Sequence, residues 1–222
     1  MIDVIDTVIF DVDGTLLDTE RIYMRAWREA GAEFGYTVGQ EVLLQTRAVS
    51  GEKAKARFMA ACGPDFPFEQ ARARRVEISE EMIAHAEVEQ LLMPHTLQTL
   101  DRLREKGYTM AVASSTNQDK TWEHLEHAGL TEYFHAIVGG DMVEHGKPEP
   151  DIFLMAAQLC GASPERCVVV GDTPADVLAA TAAKIPVILI PDQVPANEQT
   201  TALSHRVLKG LKELTGVLEE EM

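Results

Sequence analysis

The stretch Thr7-Val8-Ile9-Phe10-Asp11-Val12-Asp13-Gly14-Thr15 decides the fold of this chain. A β-branched and aromatic run ends directly at an acid, as a buried strand does where it reaches a polar rim. A second acid follows two residues on, and Gly14 permits a sharp turn there. After Asp18-Thr19 the pattern turns helical and stays so to about Leu92, with no strand pattern in between. Helices are expected over 20–34, 41–46, 52–61 and 68–91, punctuated by Gly35, Gly51, Gly63, Pro64 and Pro67.

From Pro94 the pattern alternates. Helices are expected over 96–106, 119–128, 151–160 and 175–183. Strands are expected over 108–113, 136–138, 167–170 and 186–190. A short run at 206–208 and a helix over 209–218 follow. Strands alternating with helices predict a parallel sheet covered on both faces. The expected fold class is therefore α/β: a Rossmann-like parallel-sheet core from 1–18 and 93–222, with an all-helical domain, 19–92, inserted after the first strand. No internal repeat occurs.

In such sheets ligands sit beyond the carboxyl ends of the strands. The polar residues expected there are Asp11, Asp13, Gly14 and Thr15 after the first strand and Ser114-Ser-Thr116 after the second. Gly139-Gly-Asp141 follows the third, Gly171-Asp172-Thr-Pro-Ala-Asp176 follows the fourth, and Lys147 precedes the next helix. Two ionised carboxylates about 4 Å apart repel by roughly 4 kcal/mol at an effective dielectric of 20. They need a cation or a shared proton. Oxygen-only ligands at an open site suit Mg2+, which recruits substrate phosphate. A phosphate dianion could be held by Mg2+, Lys147, the Ser114 hydroxyl and the N–H groups of Gly14 and Thr15. One carboxylate could then attack phosphorus while the other protonates the leaving oxygen and activates water.

Simpler readings of each piece fare worse as a set. Asp-x-Asp-Gly alone equally fits an Asx turn. A calcium loop starting at Asp11 would need glycine at Leu16 and glutamate at Ile22. A phosphate loop ending at Lys147 would need glycine at Asp141 and a hydroxyl residue at Pro148. His124 and His127 lack zinc-site spacing and read as a solvated helix face; His145 borders Lys147 without a spacing argument.

Composition narrows the class. Of 222 residues 45% are hydrophobic and 25% charged, so the chain can build a core without disulfides. Lys plus Arg number 20 against 36 Asp plus Glu, a net charge of −16 that argues against nucleic acid or an anionic membrane surface as partner. Cys62, Cys160 and Cys167 form no Cys-x-x-Cys pair, and no apolar run spans a bilayer. Acids at Asp3 and Asp6 do not suit a signal peptide, so cytoplasm is expected.

Four motifs occur in order: Asp11-Val-Asp13-Gly14-Thr15, Val112-Ala113-Ser114, Lys147-Pro-Glu-Pro-Asp151 and Gly171-Asp172-Thr-Pro-Ala-Asp176. In these the chain resembles the haloacid dehalogenase superfamily, in particular its phosphatase and β-phosphoglucomutase-like branch with a helical cap. The resemblance covers nearly the whole chain. It implies Asp11 as nucleophile, Asp13 as general acid and base, and Ser114 and Lys147 on the phosphate. It implies Mg2+ held by Asp11, the Asp13 carbonyl and Asp172, with Asp176 supporting. Dehalogenase-like and phosphonatase-like members lack an acid where Asp13 stands. Lys53 and Lys55 therefore read as exposed helix lysines.

The chain also departs from the pattern. β-Phosphoglucomutases carry a histidine where Tyr23 stands and an acid where Gly171 stands, and the family often has glycine where Lys184 stands. The first two departures favour hydrolysis over a mutase cycle. A helical insert on two linkers can act as a lid that excludes water. Arg47, Tyr23 and Glu20 are its candidates for contacting the leaving group, whereas Trp27 reads as core. The expected activity is a Mg2+-dependent phosphatase of small phosphorylated metabolites acting through an aspartyl phosphate. The rivals are a sugar-phosphate mutase and a non-catalytic phosphate-binding protein. No oligomeric interface is legible in the sequence.

Overall fold

The computed structural model describes residues 5–46 and 51–221. Among these, six parallel strands form one sheet: β1 (Thr7–Phe10), β2 (Thr109–Ala113), β3 (Ala136–Val138), β4 (Cys167–Gly171), β5 (Val187–Leu189) and β6 (Arg206–Val207). Their order is β3-β2-β1-β4-β5-β6. The first strand lies inside the sheet, with Phe10 level with Val112 on one side and Val170 on the other. Val8, Ile9 and Phe10 are fully buried, which is why this segment reads as an unbroken apolar run. Burying each such side chain contributes on the order of 2 kcal/mol.

Successive strands run outward from β1 in one direction up to β3, and in the other from β4 onward. The order thus reverses between β1 and β4, and in open parallel sheets that reversal opens a crevice at the carboxyl ends. Alternate strand residues Ile9, Ala111, Val138 and Val169 pack with Ile152 and Phe153 of a helix, α8 (Asp151–Leu159), and with Val177 of α9 (Pro174–Ala182). Phe10, next along the pleat from Ile9, meets Phe134 edge-on at 6.4 Å.

The chain divides into two compact units, Met1–Leu17 with Val88–Met222, and Asp18–Glu87. The second is helical: α1 (Thr19–Glu33), α2 (Gln40–Thr46), α3 (Gly51–Cys62) and α4 (Phe68–His85). Its centre is aromatic, with Trp27 4.3 Å from Phe58 and 5.7 Å from Phe68. Gly31 is needed there, because a Cβ would lie 2.5 Å from Val38 Cγ2.

The helix expected over 68–91 is broken. It stops at His85, Ala86 is extended, and α5 (Val88–Leu91) belongs to the sheet-bearing unit. Packing imposes the break: Leu91 is fully buried, Leu92 bridges Leu17, and Met93 N donates to Leu16 O. Thr96 Oγ1, at the start of α6 (Thr96–Glu105), donates to the same carbonyl.

The remaining helices are α7 (Gln118–His127), α10 (Glu198–Leu203) and α11 (Leu214–Glu221). The last segment differs from a single helix over 209–218: a short 3-10 turn, Leu211–Glu213, precedes α11. The sequence pattern does not predict α10. Its signal is Asn197 and Thr200, whose side chains each accept from the other's backbone N–H at 2.9 Å.

Gly107, Gly129 and Gly161 follow α6, α7 and α8 with φ of 81°, 70° and 67°; after α9 the same place is held by Lys184 at φ 59°. The turn is intact, since Ile185 N still reaches Ala180 O at 3.0 Å. A side chain in this left-handed conformation is strained by about 1 kcal/mol. Lys184→Gly should therefore raise stability by about 0.5–1 kcal/mol after the added entropy of the unfolded chain. Thermal unfolding should show a melting temperature about 1–4 °C higher.

Candidate active site

Asp11 leaves β1 with its N–H bonded to Val170 O at 2.8 Å, which fixes its backbone against β4. The chain then folds back on itself. Gly14 N donates to Leu17 O, and the N–H groups of Thr15, Leu16 and Leu17 all point at Val12 O. Gly14 takes φ 92°, and Thr15 is buried. The Gly14 and Thr15 N–H groups, expected as phosphate donors, are thus already used inside the turn.

Lys147 supplies the local cation. Its side chain is only 3% exposed, and Nζ donates to Asp11 Oδ1 at 2.6 Å and Ala113 O at 2.8 Å, with Asp176 Oδ1 at 2.7 Å. The first two are hydrogen bonds, and the third is an ion pair at close range. The ammonium also lies 4.9 Å from the Phe153 ring centroid. Burial pulls the Lys147 pKa down, but Asp11 and Asp176 outweigh it and hold the group above the usual lysine range.

Asp176 is locked from its other side. Its Oδ2 accepts from Thr173 N at 3.0 Å and from the Thr173 hydroxyl, in the capping box that starts α9. A Cβ on residue 171 would sit 2.6 Å from Asp176 Cβ. Gly171 is therefore what lets Asp176 come this close, and an acid at 171 has no room.

Asp11, Asp172 and Asp176 are all buried, and their carboxylates offer oxygens within 4.8 Å of one another. Burial is the main cause that raises the Asp11 pKa to about 7; Asp176 and Asp13 add to it, and Lys147 opposes it. These residues fit a hard divalent cation. The donors are oxygens alone, and the carboxyl at their centre holds its proton abnormally tightly without one.

Asp13 is half-buried, and its Oδ2 accepts from Ser114 Oγ at 3.2 Å and Thr116 Oγ1 at 3.1 Å. Ser114 follows β2, and its N–H donates to Val138 O at 2.9 Å. Asp141 does not join the acids. Its Oδ1 accepts from Gln118 N at 2.7 Å and so ties down the start of α7. The solvated helix face expected at His124 and His127 holds only for His127: His124 is on the inward side of α7 and buried, whereas His145 is exposed, 3.3 Å from Asp151 Oδ1.

In the helical unit, Tyr23 is half-buried beneath Arg75, whose guanidinium carbon lies 4.9 Å from its ring centroid and 5.7 Å from that of Trp27. Glu20 lies in the first turn of α1. Lys53 is exposed, and Lys55 lies 3.7 Å from Glu69. Arg47 falls outside the described residues. Spacing does not single out Arg75, and it places Thr116 only among the polar residues at the end of the second strand, without a role. The signal for Thr116 was its place two residues after the strand-end Ser114.

The model of the haloacid dehalogenase-like hydrolases matches residues 5–184 of this chain. The chain belongs to that family. As a family member it is an enzyme of the hydrolase class, and phosphatases recur among its named relatives. It is 30% identical over 180 residues to a phosphorylated carbohydrates phosphatase of Thermotoga maritima, covering 81% of this chain and 82% of that one. It is 31% identical over 176 residues to the fructose-1-phosphate phosphatase YqaB of Escherichia coli, covering 79% and 91%. Among solved structures, CbbY from Rhodobacter sphaeroides in complex with phosphate superimposes with a TM-score of 0.77 at 29% identity, covering 95% and 96%. The six-stranded parallel core of this chain is thus shared in fold with that neighbour. Among the described residues no helix is long and apolar enough to cross a membrane.

Proposed function

We propose that this hydrolase is a Mg2+-dependent phosphatase of small phosphorylated metabolites, sugar phosphates above all, and that it works through an aspartyl phosphate on Asp11. The observation that carries the reading is Lys147, a buried cation held between Asp11 and Asp176 at the sheet's switch point. The ammonium orients the Asp11 carboxylate and can share itself with an incoming phosphate oxygen. Asp11 attacks phosphorus, forming an acyl-phosphate O–P bond as the ester P–O bond breaks. Asp13 gives the leaving oxygen a proton. Asp13 then takes a proton from water, whose oxygen attacks phosphorus and frees Asp11.

Ser114 and Lys147 would grip the phosphate, and Gly14 and Thr15 serve by shaping the turn rather than by donating N–H groups. Mg2+, held by Asp11, the Asp13 carbonyl and Asp172 with Asp176 in support, would neutralise the acids and the non-bridging oxygens. We assign the helical unit, 18–87, the part of a cap that sets substrate specificity, with Tyr23, Glu20 and Arg47 as its candidate residues. The Thermotoga and Escherichia phosphatases support a carbohydrate phosphate as substrate. The lack of room for an acid at Gly171 supports hydrolysis over a mutase. The free thiols of Cys62, Cys160 and Cys167 support a reducing, cytoplasmic setting.

Metal affinity should depend on pH. The Asp11 carboxyl, raised to about 7, must lose its proton for a cation to bind. Below that value the apparent Mg2+ affinity should fall by roughly tenfold per pH unit, and above it level off. Calorimetric titration at pH 6 and pH 8 checks this; equal affinities would contradict it.

The reading as a whole is tested by a panel of phosphorylated metabolites with Mg2+, scored for released phosphate and, by NMR, for isomerised product. Phosphate release from one substrate class, abolished by EDTA, is the expected result. Isomerisation without release would make the protein a mutase of the β-phosphoglucomutase type.

A further inference from the structure

We infer that Thr116 is a positioning residue for Asp13, one that keeps hold of its carboxylate when the substrate phosphate claims the Ser114 hydroxyl; this rests on the reading of Asp13 as acid and base. Asp13 Oδ2 accepts from both hydroxyls in this structure, at 3.2 Å from Ser114 and 3.1 Å from Thr116. Ser114 has a single proton to give, and its Oγ already accepts from Thr116 N at 3.0 Å. It cannot donate to Asp13 and to a phosphate oxygen together. Thr116 faces no such conflict.

Its backbone is held from several sides. Thr116 O accepts from Gly140 N at 2.8 Å and from Thr121 Oγ1 at 3.3 Å. The neighbouring loop presses against it: a Cβ on Gly139 would meet Gln118 N at 2.1 Å, and one on Gly140 would meet Ser115 O at 2.5 Å. Asp141 closes the clamp through Gln118 N. The segment from Ser114 to Gln118 is thereby fixed, and the Thr116 hydroxyl with it. With Oδ2 retained by Thr116, the Asp13 carboxyl keeps its place to carry the proton to the ester oxygen as that oxygen takes the electrons of the P–O bond. Orientation of this kind acts on proton transfer and leaves phosphate binding alone.

The test compares phenyl phosphate with p-nitrophenyl phosphate, whose leaving group needs little protonation, using kcat/KM in Mg2+ and inhibition by inorganic phosphate. Asp13→Asn sets the reference, losing far more on phenyl phosphate. Thr116→Val should lose about five- to tenfold on phenyl phosphate and less than about twofold on p-nitrophenyl phosphate, with phosphate inhibition unchanged. Thr116→Ser should restore the phenyl phosphate rate. Equal losses on both substrates, weakened phosphate inhibition or failure of the serine variant would each overturn the inference while leaving Asp13's role intact. If Asp13→Asn itself falls equally on both substrates, the acid–base reading fails and this inference fails with it.

Discussion

Asp11→Asn should remove turnover, by about four orders of magnitude or more in kcat, while leaving the fold at least as stable as before. The amide keeps the size and shape of the carboxylate but cannot attack phosphorus. Its effect on stability follows from the site's charge. The Asp11 carboxyl is raised to about 7 chiefly by burial. An acid whose folded pKa lies above its unfolded value favours folding when protonated, and that advantage is lost as pH rises through about 7. At pH 8 without metal the native protein therefore carries an ionised group that the amide lacks. Lys147 keeps Asp176 as its ion-pair partner and Ala113 O as acceptor in the variant. Urea denaturation in EDTA at pH 8 should show a midpoint at or above wild type. Near-normal turnover would remove Asp11 from the mechanism, and a collapsed midpoint would mean that it is chiefly structural.

Lys147→Met should cost both activity and stability. Methionine fills the space against Phe153 but removes the cation that lies within 2.7 Å of both Asp11 and Asp176. Breaking a buried ion pair from one side costs about 3–5 kcal/mol, since it leaves buried charge uncompensated. The loss should be largest at pH 8. Without the ammonium the Asp11 carboxyl binds its proton still more tightly in the native state, so stability returns as pH falls and that group becomes neutral. Denaturation at pH 5.5 and pH 8 measures the difference, and equal losses would contradict the account. The kcat/KM should fall by about a thousandfold, the scale of removing a charged stabiliser from a buried site. Added Mg2+ should recover part of the stability and little of the rate.

Much of this site could be read from spacing because each strand end is marked by a change from apolar to polar. The run Thr7–Phe10 ends at Asp11, and Cys167–Gly171 ends at Asp172. Strand-end position follows from such patterns; side-chain direction does not. Asp141 stands at a strand end like the others, yet it ties down a helix start instead of joining the acids. Gly14 and Thr15 stand where phosphate donors would, yet the turn consumes their N–H groups. Those outcomes depend on which neighbour lies within about 3 Å, and that is decided by the packed loops.

The same holds for Gly171. It reads as a mere departure until the Cβ it lacks is found to overlap Asp176. In the helical unit, Arg75 and Tyr23 meet across separate helices, a pairing without a local pattern. The break after His85 carries no proline or glycine; it comes from the burial of Leu91 in the sheet-bearing unit. Lys184 shows the converse case, where a favourable turn tolerates a residue that local preference would exclude.

The central claim is a phosphoryl group carried covalently by Asp11. It is tested most directly by acid-quenching the enzyme during turnover of a phosphate ester, reducing the protein with borohydride and mapping the product by mass spectrometry. An acyl phosphate at Asp11 would be converted to homoserine at position 11, dependent on substrate and Mg2+ and absent from Asp11→Asn. Conversion at another carboxylate, or steady phosphate release with no conversion at Asp11, would contradict the mechanism.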